Sequence, residues 1–314
     1  MTLNYPDEDD WTWQRFVIRK QPGTCYVEIP PGELASAEQR HEWARALEGQ
    51  PDLLRRLLEG KPGIIAQGPS VAVGWNPLRH VASEPLTIEE HAELWFGWDS
   101  SPNALHHAVV IGQRVKGQVR VLAGLVSEQR TGLKQHLESL VLPWLNRRAP
   151  WILERGGNER VFGRYDPTMD TEEGGDIDQN PIGRVRRDVG GSYRPGPVSW
   201  AGRMGPMTTL FNLGDGAGGP MLQVDPGRDT ELLRKALGGR WYYGMDARGL
   251  VNRDLPQKPN HPWEDLGDAF CYFAGGMAPS RDREPTKRET HARTSFDPFS
   301  YHRQAERRVT GSLS

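Results

Sequence analysis

The chain has 314 residues, with 39 Lys/Arg against 41 Asp/Glu and a formal net charge of −2. That length leaves room for about two domains and a sizeable core, and a near-neutral balance gives no global signal for a polyanionic partner. No apolar run approaches the ~20 residues of a membrane span, and the acidic start Asp7-Glu8-Asp9-Asp10 is unlike a signal peptide. Glycine and proline are abundant at 36 and 25 residues, a loop-rich share, yet 11 tryptophans argue for ordered cores. The two cysteines, Cys25 and Cys271, form no CxxC pair, which suits a reducing compartment and argues against structural zinc.

In chain order, Trp11–Ile18 and Cys25–Ile29 read as short strands around Gln21-Pro22-Gly23. Ala35–Glu48 and Pro51–Glu59 read as helices, the second with a stripe of Leu53, Leu54, Leu57 and Leu58. Gly60-Lys61 lacks the following Ser/Thr and the upstream loop of a Walker A site. Residues 67–92 are linker-like, punctuated by Gly68-Pro69 and Asn76-Pro77. Three apolar runs follow, Leu94–Trp98, Ala108–Val115 and Gln118–Val126, separated by turn-prone breaks, and they predict an antiparallel meander. The spacing of Leu133, Leu137, Leu140, Val141, Trp144 and Leu145 predicts a helix over 131–148.

Arg160–Asp166 reads as a further strand ending in a carboxylate. The segment 168–202 is loop-heavy, acidic at first and then basic at Ile182–Val189, with a strand candidate at Pro197–Ala201 and a short helix at Met204–Phe211. Gly214–Gly219 formally matches GxGxxG, but Pro220 and a strand-like MLQV follow, so a hairpin tip is the better reading. Asp229–Leu237 reads as a helix, Arg240–Met245 as a strand, and Pro262–Met277 as the last ordered helix, with Trp263, Leu266, Phe270 and Phe273 at its apolar positions. Residues 279–314 form a basic tail without apolar periodicity and read as flexible: 281–314 hold eight Lys/Arg against five Asp/Glu.

Three carboxylates thus stand at comparable places. Asp99 and Asp166 end strands, and Asp268 lies on a helix after the sheet. Separated Asp residues gathered at a sheet edge are what two-metal phosphoryl chemistry requires, since oxygen ligands suit Mg²⁺ or Mn²⁺. The spacing alone is unspecific among 41 acidic residues. Asp99 before Ser-Ser-Pro is also ordinary turn chemistry. Asp265 shares a helical face with Asp268. Arg184, Arg186, Arg187, Arg203 and Lys258 are candidate contacts to a phosphate backbone or plain surface charges. His106 and His107 read as structural, because oxygen-rich sites rarely need imidazole.

Residues 60–275 resemble the C-terminal nuclease domain of the large terminase subunits of tailed bacteriophages and prophages. The resemblance lies in GPSVAVGWNPLRHV, FGWDSSPNALHHAVVIGQ, RVFGRYDP, GPVSWAGRM, PMLQV and HPWEDLGDAFCYF, which occur in the family's order. It implies an α/β, ribonuclease H-like fold over 67–278, with an antiparallel meander followed by parallel strands and helices on both faces. Residues 1–66 then correspond to the end of an ATPase domain whose Walker motifs are absent here. The implied activity is two-metal hydrolysis of double-stranded concatemeric DNA during packaging in the host bacterial cytoplasm, with no membrane involved. Terminase small subunit and portal are the implied partners. Asp99, Asp166 and Asp268 would be the catalytic metal ligands for two Mg²⁺ or Mn²⁺ ions. Asp265, where a histidine is common, could be a fourth carboxylate or a cap-region residue. The alternatives are a non-catalytic module docking on portal or small terminase, and another ribonuclease H-like nuclease such as a junction resolvase.

Overall fold

The computed structural model describes residues 14–19, 23, 36–46, 68–101, 106–127, 130–154, 157–170, 180–245 and 250–279. The chain divides into two units, 1–279 and 280–314, and every described residue belongs to the first. The strand expected at Cys25–Ile29, the helix at Pro51–Glu59 and the tail lie outside the described residues. Gln14–Ile18 forms a single π-helical turn where a strand was expected. Helix α1, Ala37–Ala46, begins at a reciprocal cap: Ser36 Oγ accepts from the Gln39 N–H at 3.2 Å, and Gln39 Oε1 accepts from the Ser36 N–H at 3.0 Å.

Residues 68–92 are no linker. Val71, Ala72, Ala82 and His80 are buried, and Asn76 caps a short helix, α2 (Pro77–His80), by accepting from the Leu78 N–H. The burial of Val71 and Ala72 and the caged histidine, bonded to the Asn76 N–H and the Phe211 carbonyl, override the Gly/Pro punctuation.

The central sheet has six strands in the order β5-β4-β1-β2-β3-β6. They are β1 (Leu94–Asp99), β2 (Ala108–Val115), β3 (Gln118–Val126), β4 (Val161–Tyr165), β5 (Ser192–Pro195) and β6 (Leu222–Val224). β2 pairs antiparallel with β1 and β3, whereas β4 is parallel to β1, β5 to β4 and β6 to β3. The β1–β3 meander, with strands parallel to β1 added on its far side, gives the expected ribonuclease H-like arrangement.

Helices cover both faces. On one side a continuous segment, α3, joins Leu133–His136, a π-turn Leu137–Val141 and Leu142–Arg148, and packs with α4 (Pro181–Asp188) over Leu94, Phe96, Trp98, Val109 and Ile111. On the other lie α5 (Trp200–Asn212), α6 (Glu231–Lys235, followed by a π-turn to Arg240) and α7 (Trp263–Met277), over Ala108, Val110, Val119, Val121, Leu222 and Val224. A hairpin of β7 (Tyr243–Met245) and β8 (Val251–Pro256) completes the fold. The expected strand at Arg240–Met245 is thereby shortened.

Four readings between 180 and 256 need correction. The basic stretch is helix α4, because Asn180 caps the Gly183 N–H and Pro181 suits the first turn. The strand expected at Pro197–Ala201 lies earlier, at β5. Ser199 caps the Gly202 N–H there and starts α5 at Trp200, four residues ahead of the expected helix. β8 was not anticipated, since its charged, exposed face hides the strand pattern. Gly214–Gly219 is a closed tip: Asp215 Oδ1 accepts from the Ala217 and Gly219 N–H groups at 2.8 and 2.9 Å, and Gly214 bridges to Pro220.

Candidate active site

Strand alternation aims the carboxylates. In β1, Phe96 and Trp98 point into the α3/α4 core, so Trp95, Gly97 and Asp99 face the α7 side. In β4, Val161 and Tyr165 point the same way as Phe96, leaving Phe162, Arg164 and Asp166 on the α7 side. The parallel register pairs Gly97 with Arg164 and Trp98 with Tyr165, and the Asp166 N–H extends the ladder by donating to the Trp98 carbonyl at 3.0 Å. Asp99 and Asp166 therefore end neighbouring strands, side by side and facing the same way. α7 crosses directly over them: a Cβ on Gly97 would collide with the Phe273 backbone N and the Ala269 carbonyl. That approach brings Asp268 opposite the strand ends.

α7 is held firmly. Leu266, Phe270, Phe273 and Met277 are buried at i, i+4, i+7 and i+11, each stabilising by about 1.5–3 kcal/mol relative to exposure. The neighbouring stripe at i, i+3 and i+7 carries Asp265, Asp268 and Tyr272.

Each carboxylate has its own surroundings. Asp166 Oδ1 accepts from the Thr168 N–H at 2.8 Å and the Thr168 hydroxyl at 2.7 Å, while Oδ2 accepts from the Tyr272 hydroxyl at 2.7 Å. Asp268 is buried; its Oδ2 accepts from Lys258 Nζ at 3.1 Å and lies 3.7 Å from Arg203 Nη1, and its Oδ1 is buried without a partner. Asp265 is hydrogen-bonded to His261 Nδ1 at 2.5 Å, and the His261 ring stacks on His106 with centroids 3.6 Å apart. Asp99 is followed by buried Ser100, whose hydroxyl is 2.6 Å from His107 Nδ1 and whose carbonyl accepts from the Thr168 hydroxyl at 3.4 Å.

The electrostatics follow from this crowding. Burial, then the charges of Asp268, Asp265 and Asp166, push the Asp99 carboxyl well above the usual carboxylate range, with Lys258 pulling the other way. Burial also raises Asp268, opposed by Lys258 and Arg203. Burial lowers His107 to about 4, so it is neutral at pH 7. Burial and the bond to Asp166 keep the Tyr272 hydroxyl protonated.

The structure thus gathers Asp99, Asp166, Asp268, Asp265, Lys258 and Arg203. Arg184, Arg186 and Arg187 sit elsewhere, on α4 beneath the opposite face of the sheet. Arg184 and Arg187 pair with Asp188 at 3.9 and 3.0 Å, beside Lys134 and Glu138, and Arg186 donates to the Tyr193 carbonyl. Sequence reasoning missed Thr168 and Tyr272. Their signals were an Asp-x-Thr turn and an aromatic one helical turn after Asp268.

An all-oxygen donor set, an unpartnered buried Asp268 oxygen and several carboxylates competing for one region fit a hard divalent cation. Among the described residues no three Asp, Glu, His or Cys side chains close on a single point as a finished ion site. At Asp268 two side-chain cations already stand in place. Among the described residues no helix is long and apolar enough to cross a membrane.

No protein-family profile and no curated protein sequence matches the chain. Solved structures similar to it include the large terminase of a thermophilic bacteriophage, at 12% identity and TM-score 0.46, covering 87% of this chain and 61% of that one. The large terminase nuclease of thermophilic phage G20c with bound magnesium is similar at 12% identity and TM-score 0.40, covering 66% and 96%. The nuclease domain of the bacteriophage SPP1 large terminase with bound Mn is similar at 14% identity and TM-score 0.38, covering 61% and 92%. The chain spans less than two thirds of the first of these, the whole large terminase.

Proposed function

We propose that this chain is a divalent-metal-dependent endonuclease that hydrolyses phosphodiesters of double-stranded DNA, working within a viral packaging complex of the host cytoplasm as a large terminase does. The observation that carries the reading is the juxtaposition of Asp99 and Asp166 at adjacent parallel strand ends, with Asp268 facing them from α7. Those three would hold two Mg²⁺ or Mn²⁺ ions, with Asp265 as a fourth oxygen donor. When bound, such ions lower the pKa of water and neutralise charge at the attacking and leaving oxygens. The protein's own part is positioning. Thr168 fixes one Asp166 oxygen, Ser100 and His107 fix the turn after Asp99, and Lys258 supplies a half-exposed cation for a phosphate backbone. Among the described residues no base-reading element is evident, so binding would be phosphate-dominated and salt-sensitive. Small terminase and portal are the partners this role implies.

One observation favours a second reading, a non-catalytic docking module: Lys258 and Arg203 already neutralise Asp268. Plasmid nicking with Mn²⁺ or Mg²⁺, wild type beside Asp166→Ala, separates the two. Cleavage that requires the ion and is lost in the variant is the expected result. A folded wild type that cuts with neither ion would favour docking.

A further inference from the structure

We infer that Arg203 and Tyr272 form a brace that positions Asp166 and Asp268 relative to each other for ion binding; the inference rests on the nuclease reading above. Tyr272 is wholly buried on α7, one turn after Asp268, and its hydroxyl donates to Asp166 at the end of β4. One helix therefore contributes a carboxylate directly and holds a second one through a hydrogen bond. The Tyr272 ring is itself confined. Gly196 lies so close that a Cβ there would strike the ring, and the Arg203 guanidinium sits 5.1 Å from its centroid.

Arg203 is committed inward. Its Nε and Nη2 donate to the Pro197 and Val198 carbonyls at 3.3 Å each, and Nη1 stands 3.7 Å from Asp268 Oδ2. One planar guanidinium, held by the backbone leading into α5, thus touches both Asp268 and the residue that holds Asp166. This is a use of the rigid fork of arginine that lysine cannot copy. It also differs from the DNA contact first expected of Arg203. Neither side chain need touch substrate, so both are positioning residues.

A purely structural tyrosine would influence stability alone; a brace must influence ion affinity. Tyr272→Phe keeps the ring, its burial and the stacked guanidinium while deleting one hydrogen bond. Isothermal titration with Mn²⁺ should show affinity reduced about 10–100-fold, the usual effect of removing a partner of an ion ligand. On DNA, kcat at limiting Mn²⁺ should fall with KM unchanged, and high Mn²⁺ should restore part of it. Arg203→Lys should weaken Mn²⁺ binding in the same direction. Circular dichroism and DNA binding in EDTA check that each variant is folded. Tyr272→Phe binding Mn²⁺ as wild type does, with only its melting temperature lowered, would overturn the brace. Wild type taking up no Mn²⁺ would instead sink the nuclease reading, and the brace with it.

Discussion

The carboxylate at the end of β1 is the residue on which site and stability conflict. In the folded chain Asp99 keeps its proton to higher pH than in the unfolded chain, because burial and then Asp268, Asp265 and Asp166 disfavour its charge. Between the ordinary and the raised value the folded state binds more protons, so this contribution to stability is complete at low pH and is lost as pH rises through that window. Asp99→Asn removes the penalty. We predict that in EDTA the variant melts higher than wild type at pH 7, that its melting temperature depends less steeply on pH above about 4, and that it does not cleave DNA. Thermal melts from about pH 4 to pH 8 check this, and an Asn variant no more stable than wild type at pH 7 would count against it. A gain in stability on replacing Asp99 is the signature expected if it belongs to a functional site.

At the scale of elements, α7 carries both core side chains and the proposed ligand Asp268, and β1 has no side chain at Gly97 where helix and strand meet. Gly97→Ala forces α7 away from the strand ends, because the obstacle is the backbone of Ala269 and Phe273. We expect a loss of about 1–3 kcal/mol or more in urea unfolding, the usual cost of overpacking a core. Unchanged stability would show that α7 can shift freely. These elements were legible in the sequence because their apolar residues follow clean periods: the meander in alternation, α7 at helical spacing. So were Asp99 and Asp166, as last residues of apolar runs. β8 and α4 were not legible, since charged outer faces mask one and a proline and arginines disguise the other. The role of Arg203 was illegible for a different reason. Its partners, Tyr272 and Asp268, lie far along the chain, and no local pattern encodes that meeting.

At the scale of the whole molecule, the two helical layers divide the basic residues. Lys258 and Arg203 belong to the side with the carboxylates; Arg184 and Arg187 lie under the other, among their own acidic neighbours. A duplex engaged at the strand ends therefore meets few of the arginines that crowd the middle of the sequence. The same view gives the segment before β1 a further meaning. Val81 bridges to Val224, the Ala82 N–H donates to the Val224 carbonyl, and Gln223 reaches the Arg79 carbonyl, so residues 79–82 lie along the outer edge of β6. The opposite edge strand, β5, ends in Pro195, which has no N–H to offer a neighbour. A chain truncated to begin at Leu94 would bare one row of sheet hydrogen-bonding groups and the apolar surface that Val71 and Ala72 cover. Light scattering should find that shortened protein associating at concentrations where the full chain stays dispersed. The stretch ahead of the first strand is in this sense a guard against aggregation, and anyone cutting the protein into pieces should leave it in place.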